Sequence, residues 1–220
     1  MTNPVWPENQ TIANVADEPH IVLTQFGDTA ELNKEITETI LRMERNSSYK
    51  ESLEHGGQGV KVHHVERWKS PAAQIIDARA QELFRRVLDT KEAHVDESWG
   101  NIYRNGDFFL PHSHIRAMAS IVYMVDEGDI DSKNALTGKL CFADPRLKYC
   151  NKHEPGRLTR VLIPEMKPGS MVMFPAATVH LVNPYFGHRT RITLSWNLNT
   201  HPIAGNPKLN FEQRNQQPSQ

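Results

Sequence analysis

The sequence predicts an α+β fold, mainly β, in which helices pack on one face of a jelly-roll-like sandwich. Before position 90 the apolar residues recur at helical spacing, whereas from Trp99 onward short runs rich in β-branched and aromatic residues alternate with Gly, Pro, Asn and Asp. A chain of 220 residues falls within the range of one domain. We therefore expect a single domain over 1–200, with helical support in 28–90, a β core in 99–199, and an extended or disordered tail in 201–220.

Two predicted helices have start signals and apolar faces. Asp28 and Glu31 form a capping pair before the first, and Ser70 with Pro71 supplies a cap and a first-turn proline for the second. The apolar residues at three- and four-residue spacing are Leu32, Ile36, Ile40 and Met43 in the first helix, and Ile75, Ile76, Ala80, Leu83, Val87 and Leu88 in the second. Because each set shares one helix face, both helices are expected to pack against the sandwich.

Short apolar runs mark the strands. The run 21–23 is a candidate edge strand, and the Gly-rich segment 55–59 is interpreted as a loop. The runs predicted to form the β core are 99–103, 117–125, 139–142, 158–163, 170–174, 179–182 and 190–198. The turn-forming residues between them are typical of an antiparallel β domain.

Composition argues against several functional classes. The 25 basic and 26 acidic side chains give a net charge of −1, which does not favour a general nucleic-acid or membrane-surface binder. Two cysteines, Cys141 and Cys150, fit free thiols in a reducing compartment better than a disulfide scaffold. The N-terminus lacks the pattern of a secretory signal, and no apolar run approaches the roughly 18 residues of a membrane span. These features predict a cytoplasmic protein.

Three histidines are candidate metal ligands. His112 and His114 lie just before the predicted strand that begins near 117; on a strand, residues i and i+2 point to the same face, so both imidazoles could reach one ion. His180 lies beside a later β run, from which a different strand can present a third imidazole. Taken alone, a His-x-His pair is more often exposed or hydrogen-bonded at a strand end, and a lone histidine is more often structural. The three together favour a metal site.

A cationic residue inside an apolar strand indicates a bound anion. Arg191 opens the run Arg191-Ile192-Thr193, and its strand contains no acidic residue. A buried arginine needs an anionic partner. Since residues i and i+2 share a face, the Arg191 guanidinium and the Thr193 hydroxyl together suit a carboxylate.

The motifs also resemble those of a known enzyme family. They are similar to the motifs of the prolyl-hydroxylase-like 2-oxoglutarate/Fe(II) oxygenases, and more closely to those of a bacterial and phage group among them. The matching segments are 103–114 (YRNGDFFLPHSH), 120–125 (SIVYMV), 138–146 (GKLCFADPR), 168–175 (PGSMVMFP), His180 and 191–197 (RITLSWN). The resemblance covers roughly 99–199 and depends on the order of the set more than on any single segment.

The resemblance implies a fold, two cofactors and a set of site residues. The fold is a double-stranded β-helix, the cupin-like form of the jelly roll, and the cofactors are Fe(II) and 2-oxoglutarate as cosubstrate. The implied metal ligands are His112, His114 and His180. Arg191 is implied to bind the distal carboxylate of 2-oxoglutarate, with Thr193 assisting and Tyr103 reaching the same molecule.

One position departs from the wider superfamily. Where the usual motif is His-x-Asp or His-x-Glu, this chain has His112-x-His114. A carboxylate ligand cancels part of the charge of Fe(II), whereas three neutral imidazoles leave the full 2+ for other groups to balance. Iron remains the first choice, because the closer group shares the pattern, and zinc is the main rival.

The implied reaction is hydroxylation of a small molecule or of a residue of a peptide or protein, with release of succinate and CO₂. Candidate substrate-binding residues are Arg116, Asn101, Asn197 and Arg146. Basic residues are frequent after Arg146, and a basic rim would select an anionic molecule, although a solvated loop with ordinary surface charges is favoured there. The oligomeric state stays open, with a homodimer as one candidate.

Two other functions compete with this interpretation. A cupin-like three-histidine dioxygenase that does not use 2-oxoglutarate would have no reason to keep Arg191 as a carboxylate-binding group. A non-catalytic metal-binding or sensor protein on the same scaffold is compatible with the sequence. Turnover of 2-oxoglutarate would exclude the latter.

Overall fold

The computed structural model describes residues 5–45, 51–52, 57–129, 134–143 and 161–203. Within these ranges the chain forms an 8-stranded and a 5-stranded antiparallel sheet together with two α-helices. The sheets face each other, and the helices lie on the outer face of the larger one. This arrangement confirms the predicted α+β, mainly β fold and its helical support. Neither of the helices described is both long enough and apolar enough to cross a membrane.

The larger sheet contains strands from both halves of the chain. Its strands are β1 (Ala13–Ala16), β2 (Ile21–Gln25), β3 (Glu51–Ser52), β5 (Val60–His63), β6 (His94–Tyr103), β8 (Ala119–Asp126), β11 (Ser170–Pro175) and β13 (Arg191–Asn199). The smaller sheet consists of β4 (Gly57–Gln58), β7 (Phe108–His112), β9 (Leu140–Ala143), β10 (Val161–Leu162) and β12 (His180–Val182). The strand orders are β1-β2-β11-β8-β13-β6-β5-β3 and β10-β9-β12-β7-β4. The site described below lies between β6 and β13 of one sheet and β7 and β12 of the other.

The two helices pack as their apolar spacing predicts. Helix α1 spans Ala30–Arg45 and α2 spans Pro71–Val87. The Ser70 hydroxyl accepts a hydrogen bond from the backbone N–H of Ala73 at 3.2 Å, which confirms the predicted cap and first-turn proline. Asp28, just before α1, directs its two carboxylate oxygens to Arg79 of α2 at 2.9 and 2.6 Å. This ion pair joins the start of one helix to the middle of the other.

Strand β13 separates two cores by the alternation of its side chains. Ile192, Leu194, Trp196 and Leu198 belong to the core that α1 and α2 form with the larger sheet. The intervening residues Arg191, Thr193, Ser195 and Asn197 face the space between the two sheets. A second core fills that space, with Tyr103, Phe142 and Phe174 among its members. The polar residues of β13 are therefore buried among apolar ones.

Several short strands were missed by the sequence interpretation. These are β1, β3, β4, β5 and β7. The run 21–23 forms β2 as expected but is not at an edge, because β1 pairs with its outer side. Part of the predicted loop 55–59 forms β4, which pairs with β7. These strands are at most five residues long, and β4, β5 and β7 pair with segments distant in sequence, so the local pattern carries little signal for them.

Part of the predicted strand 158–163, residues 144–146 of the resembling segment 138–146, and the tail beyond 203 lie outside the described residues.

Candidate active site

The three candidate ligands converge at one end of the sandwich. His112 ends β7 and His180 begins β12, and the two are direct partners in the antiparallel pairing of these strands. His114 lies just after β7, where its backbone N–H donates to the carbonyl of Ala176 at 2.8 Å. One side-chain nitrogen from each of the three histidines lies within 4.8 Å of the others. A single ion is within reach of all three imidazoles.

Two of the rings are fixed in the same way. The Nδ1 atom of His112 is 2.7 Å from the carbonyl oxygen of Leu110, and Nδ1 of His180 is 2.9 Å from that of Thr178. Because a carbonyl can only accept a hydrogen bond, Nδ1 carries the proton in both neutral rings. The Nε2 atoms are then left with free lone pairs, which is the tautomer that a metal ligand needs.

The surroundings keep these rings neutral. Burial, reinforced by the nearby His112 and His114, lowers the pKa of His180 to about 3. Burial also lowers the pKa of His112, and the positive charge of Lys61 acts in the same direction. Both imidazoles therefore remain unprotonated at neutral pH and keep their lone pairs available.

Arg191 occupies a closed environment beside this cluster. The residue is 3% exposed, and its Nη1 has no hydrogen-bond partner among the described residues. Its guanidinium carbon lies 4.6 Å from the centre of the Tyr103 ring. Burial lowers the pKa of Arg191, yet arginine stays charged in proteins. No ion pair joins this cation to a carboxylate within the part of the chain that the structure describes.

The hydroxyl and amide groups around Arg191 are arranged in rows across the larger sheet. Tyr103 is the register partner of Arg191, and Asn101 is the register partner of Thr193. The Asn101 amide donates to the hydroxyls of Thr193 and Ser195, both at 3.2 Å. The Asn101 carbonyl oxygen is buried and has no partner among the described residues. Unpaired buried donors and acceptors are costly, so their presence here indicates a ligand site.

Most predicted site residues line one cavity between the two sheets. Its lining includes His112, His114, His180, Tyr103, Arg191, Thr193, Asn101 and Asn197. Arg116 does not line it: its guanidinium lies 3.8 Å from the nearly buried carboxylate of Asp96. Two of its guanidinium nitrogens, Nε and Nη2, are buried without a hydrogen-bond partner among the described residues, and the substrate contact predicted for Arg116 stays a prediction. Arg146 lies outside the described residues.

Comparisons with known proteins agree with this geometry. Residues 97–197 match the family model described as "Putative 2OG-Fe(II) oxygenase". This segment belongs to that oxygenase family. The match covers most of β6 through most of β13 and therefore includes all three histidines and Arg191. A search of curated proteins found no match.

Solved structures show the same fold. A prolyl-4-hydroxylase from Pseudomonas putida is 17% identical, with a TM-score of 0.57, covering 83% of this chain and 93% of that one. A prolyl hydroxylase from Trichoplax adhaerens, in complex with a hypoxia-inducible-factor peptide, is 12% identical with a TM-score of 0.57, covering 82% and 84%. The α-ketoglutarate-dependent epimerase SnoN from nogalamycin biosynthesis is 13% identical with a TM-score of 0.62, covering 84% and 80%. At such identities these structures establish the double-stranded β-helix.

The residues of this oxygenase domain fit the two groups that its family implies, Fe(II) and 2-oxoglutarate. Imidazole suits divalent iron as it does zinc, and the three rings present their nitrogens to one point. The unpartnered Nη1 of Arg191 lies in the same cavity and suits one carboxylate of 2-oxoglutarate. The cavity thus holds donors for both the metal and the cosubstrate.

The sequence interpretation missed several residues of the oxygenase cavity. They are Lys61, Trp99, Phe109, Ser120 and Ser195. Lys61 was missed because no strand was predicted between the loop 55–59 and the second helix. The alternation Val60-Lys61-Val62 was the available signal: Val62 is fully buried on the helix side, so Lys61 must face the other sheet. Its ammonium lies 4.9 Å from the centre of the Trp99 ring and 5.3 Å from that of Phe109.

Proposed function

We propose that this oxygenase holds Fe(II) through His112, His114 and His180, binds 2-oxoglutarate through Arg191, and hydroxylates a small molecule or a residue of a peptide. Thr193 and Tyr103 assist Arg191. The observation that carries the proposal is the buried Arg191 guanidinium, which has an unpartnered nitrogen in the cavity that contains the three histidines. A protein that bound only a metal ion would have no use for it.

The energetics of Arg191 support a carboxylate ligand. Burying a cation without an anionic partner costs several kcal/mol, as an order of magnitude. The Tyr103 ring offsets part of that cost through a cation–π contact. A planar guanidinium forms two parallel hydrogen bonds to a carboxylate, which makes Arg191 well suited to the distal carboxylate of 2-oxoglutarate.

Each group of residues has a separate task. When bound, Fe(II) and 2-oxoglutarate supply O₂ activation, with succinate and CO₂ as the products of the cosubstrate. The Leu110 and Thr178 carbonyls hold His112 and His180 in the ligating tautomer. Trp99, Phe109 and Phe174 line the cavity with apolar surface and limit the access of water. Hydroxylation of a C–H bond needs no protein base, and none is assigned.

The competing functions assign different roles to Arg191. In a three-histidine dioxygenase that does not use 2-oxoglutarate, the buried charge of Arg191 is unexplained. A metal-binding sensor could bind 2-oxoglutarate but would not consume it. Zinc in place of iron would favour that alternative.

Succinate formation by the anaerobically purified, Fe(II)-loaded protein with 2-oxoglutarate and O₂ tests the proposal. We expect slow turnover in the wild type and none in Arg191→Ala or His180→Ala. Arg189→Ala is the matched control, because Arg189 is an exposed residue that pairs with Asp126 at 2.8 Å, two positions from Arg191. Tight zinc retention with no succinate in the wild type would contradict the proposal.

The nature of the substrate is a finer proposal. The Trichoplax enzyme was solved with a peptide, and SnoN is an epimerase of nogalamycin biosynthesis, so this fold accepts both substrate types. We place Asn101 and Asn197 as substrate contacts, since both side chains are buried at the cavity. A cytoplasmic location, a homodimer and the absence of nucleic-acid and membrane partners stay predictions.

A further inference from the structure

We propose that a second cavity, at the Arg191 end of the space between the sheets, is the route by which 2-oxoglutarate enters this oxygenase and succinate leaves it. The inference rests on the proposed function and goes beyond it by giving the cosubstrate a path separate from that of the substrate. The lining of the second cavity consists of Arg191 and of residues within the segments 124–129, 134–140 and 164–166.

The second cavity adjoins the oxygenase cavity. Leu140 and Arg191 line both of them. Met124 of the second cavity is the register partner of Thr193, which lines the oxygenase cavity. On the smaller sheet, Leu140 is the register partner of Val182, another residue of the oxygenase cavity. The two cavities are therefore consecutive parts of one space between the sheets, with the three histidines at one end and the second cavity at the other.

Free space is distributed unequally between the two cavities. The oxygenase cavity has a free volume of about 40 Å³, and the second cavity has about 280 Å³. A water molecule needs about 10–15 Å³ of such space, so the oxygenase cavity has room for roughly three. The metal, the cosubstrate and the reacting part of the substrate must share that narrow space. A substrate seated over the histidines would close their end of it, so succinate would need another way out.

The wall between the cavities is made of side chains that can move. Leu140 and Arg191 are the residues that both cavities share, so a change in their rotamers would join the two spaces. Gly138 leaves Arg191 uncovered on the side of the second cavity, because a Cβ at this glycine would lie 3.0 Å from Cδ of Arg191. An anion in the second cavity is therefore already close to the guanidinium that is to bind it.

The charges of the second cavity suit passage of a dicarboxylate better than its retention. Lys139 and Arg191 attract such an ion, whereas Glu127 and Asp129 repel it, so the charges of these four lining residues cancel. The apolar part of the wall includes Met124, Pro164 and Met166. We therefore expect tight binding only beyond the shared wall, where Arg191 acts together with the metal.

Stopped-flow kinetics of cosubstrate binding test the inference without a known substrate. The Fe(II)-loaded full chain is mixed with 2-oxoglutarate in the absence of O₂, and the charge-transfer absorption of the complex reports binding. The observed rate plotted against concentration gives kon as its slope and koff as its intercept, and a titration gives Kd. The value of koff measures outward passage, which succinate would share.

Variants obstruct one end of the space or the other. Ala135 is an exposed residue of the second cavity, so a tryptophan there would fill its outer part. An obstruction changes both rates and not the end states, so Ala135→Trp should lower kon and koff about fivefold each with Kd unchanged. Ala135→Ser is the matched control and should bind at the wild-type rates. Ile115→Trp obstructs the histidine end, where Ile115 is 95% exposed beside His114, and should also leave both rates unchanged. Leu140→Ala removes part of the shared wall and should raise both rates.

Three outcomes would overturn the inference. They are unchanged rates in Ala135→Trp, an Ile115→Trp protein that binds 2-oxoglutarate as slowly as Ala135→Trp does, and an Ala135→Trp protein whose Kd rises while kon stays the same. The second result would make the histidine end the route, and the third would mean that the tryptophan disturbs the bound state. Failure of the proposed function is seen separately, because the Fe(II)-loaded wild type would then give no charge-transfer absorption with 2-oxoglutarate.

Discussion

Arg191 and Tyr103 are register partners on neighbouring strands, and the Arg191 guanidinium lies 4.6 Å from the centre of the Tyr103 ring. The contact holds a buried cation against one wall of the cavity. Burial raises the pKa of Tyr103 despite the opposing charge of Arg191, so the phenol stays neutral at physiological pH. A neutral tyrosine does not cancel the charge of Arg191, which remains available to a carboxylate.

Replacement of Arg191 should weaken the binding of 2-oxoglutarate. Truncating one partner of a buried charge pair costs about 2 kcal/mol or more, so Arg191→Ala should raise the Kd at least about thirtyfold. Arg191→Lys keeps the charge but loses the planar pair of donors, and should have an intermediate Kd. Calorimetry of the metal-loaded protein measures both. An unchanged Kd in Arg191→Ala, with the fold intact by circular dichroism, would show that Arg191 does not bind 2-oxoglutarate.

Metal content should depend on the histidine cluster. His180 is 5% exposed, and its ring centre lies 4.3 Å from that of His112 and 5.2 Å from that of His114, so His180→Ala should abolish retention of iron after gel filtration. His188→Ala is the control, because His188 is an exposed residue outside the cavity. Elemental analysis gives the result. Equal iron in His180→Ala and in His188→Ala would place the metal elsewhere.

The His-x-His departure gives a separate prediction. His114 lies in the segment after β7 and is partly exposed, so an aspartate there meets little steric resistance. We expect His114→Asp to retain iron and His114→Ala to lose at least half of it, since a carboxylate can ligate Fe(II) in the same position. Equal iron content in both variants would show that the residue at 114 does not coordinate the metal.

The ion pair between the helices should make stability depend on pH. The hydrogen bonds and charge of Arg79 lower the pKa of Asp28 in the folded protein. The pair therefore stabilises the fold above the ordinary carboxyl pKa of 3.8, and this contribution is lost as the pH falls through the lowered value. Arg79 is buried but the Asp28 side chain is 54% exposed, so we expect Asp28→Asn to cost only about 1–2 kcal/mol at pH 7.

Urea unfolding at pH 7 and pH 3 tests that expectation. The difference in the free energy of unfolding between wild type and Asp28→Asn should be smaller at pH 3. Glu8→Gln, at an exposed position, should change the free energy of unfolding by less than about 0.5 kcal/mol at either pH. A difference that stays constant with pH would mean that the charge of Asp28 does not contribute.

Close packing of α1 on the sheet should make Gly100 intolerant of a side chain. A Cβ at this position would collide with Ile40 of α1 and would lie 2.8 Å from the Trp68 ring. Gly100→Ala should therefore destabilise the protein by about 1–3 kcal/mol. Gly27→Ala is the control, because nothing lies within 4 Å of its Cβ position. Thermal unfolding compares the two, and similar melting temperatures would contradict the expected collision.

Local sequence patterns predicted the helices and strands whose capping residues and apolar spacing lie within their own segments. Ser70 and Pro71 marked the start of α2 because capping involves only the next three residues. The alternation along 190–198 predicted β13, with Arg191 and Thr193 on one face. The runs predicted for β6, β8, β9, β11, β12 and β13 end within five residues of the observed strand ends, whereas β7 was missed. The sequence also indicated that His112, His114 and His180 belong to one site, because the motifs that contain them stand in a recognisable order.

Only the tertiary structure decided which side chains meet. His180 lies beside His112 because β12 pairs with β7, a strand that the local pattern did not indicate. Lys61 enters the cavity because β5 extends the larger sheet beyond β6. Arg116, adjacent in sequence to the histidines, instead faces Asp96. The sequence thus determined the chemical groups and their strand faces, whereas long-range strand pairing determined their neighbours, since a register depends on two segments at once.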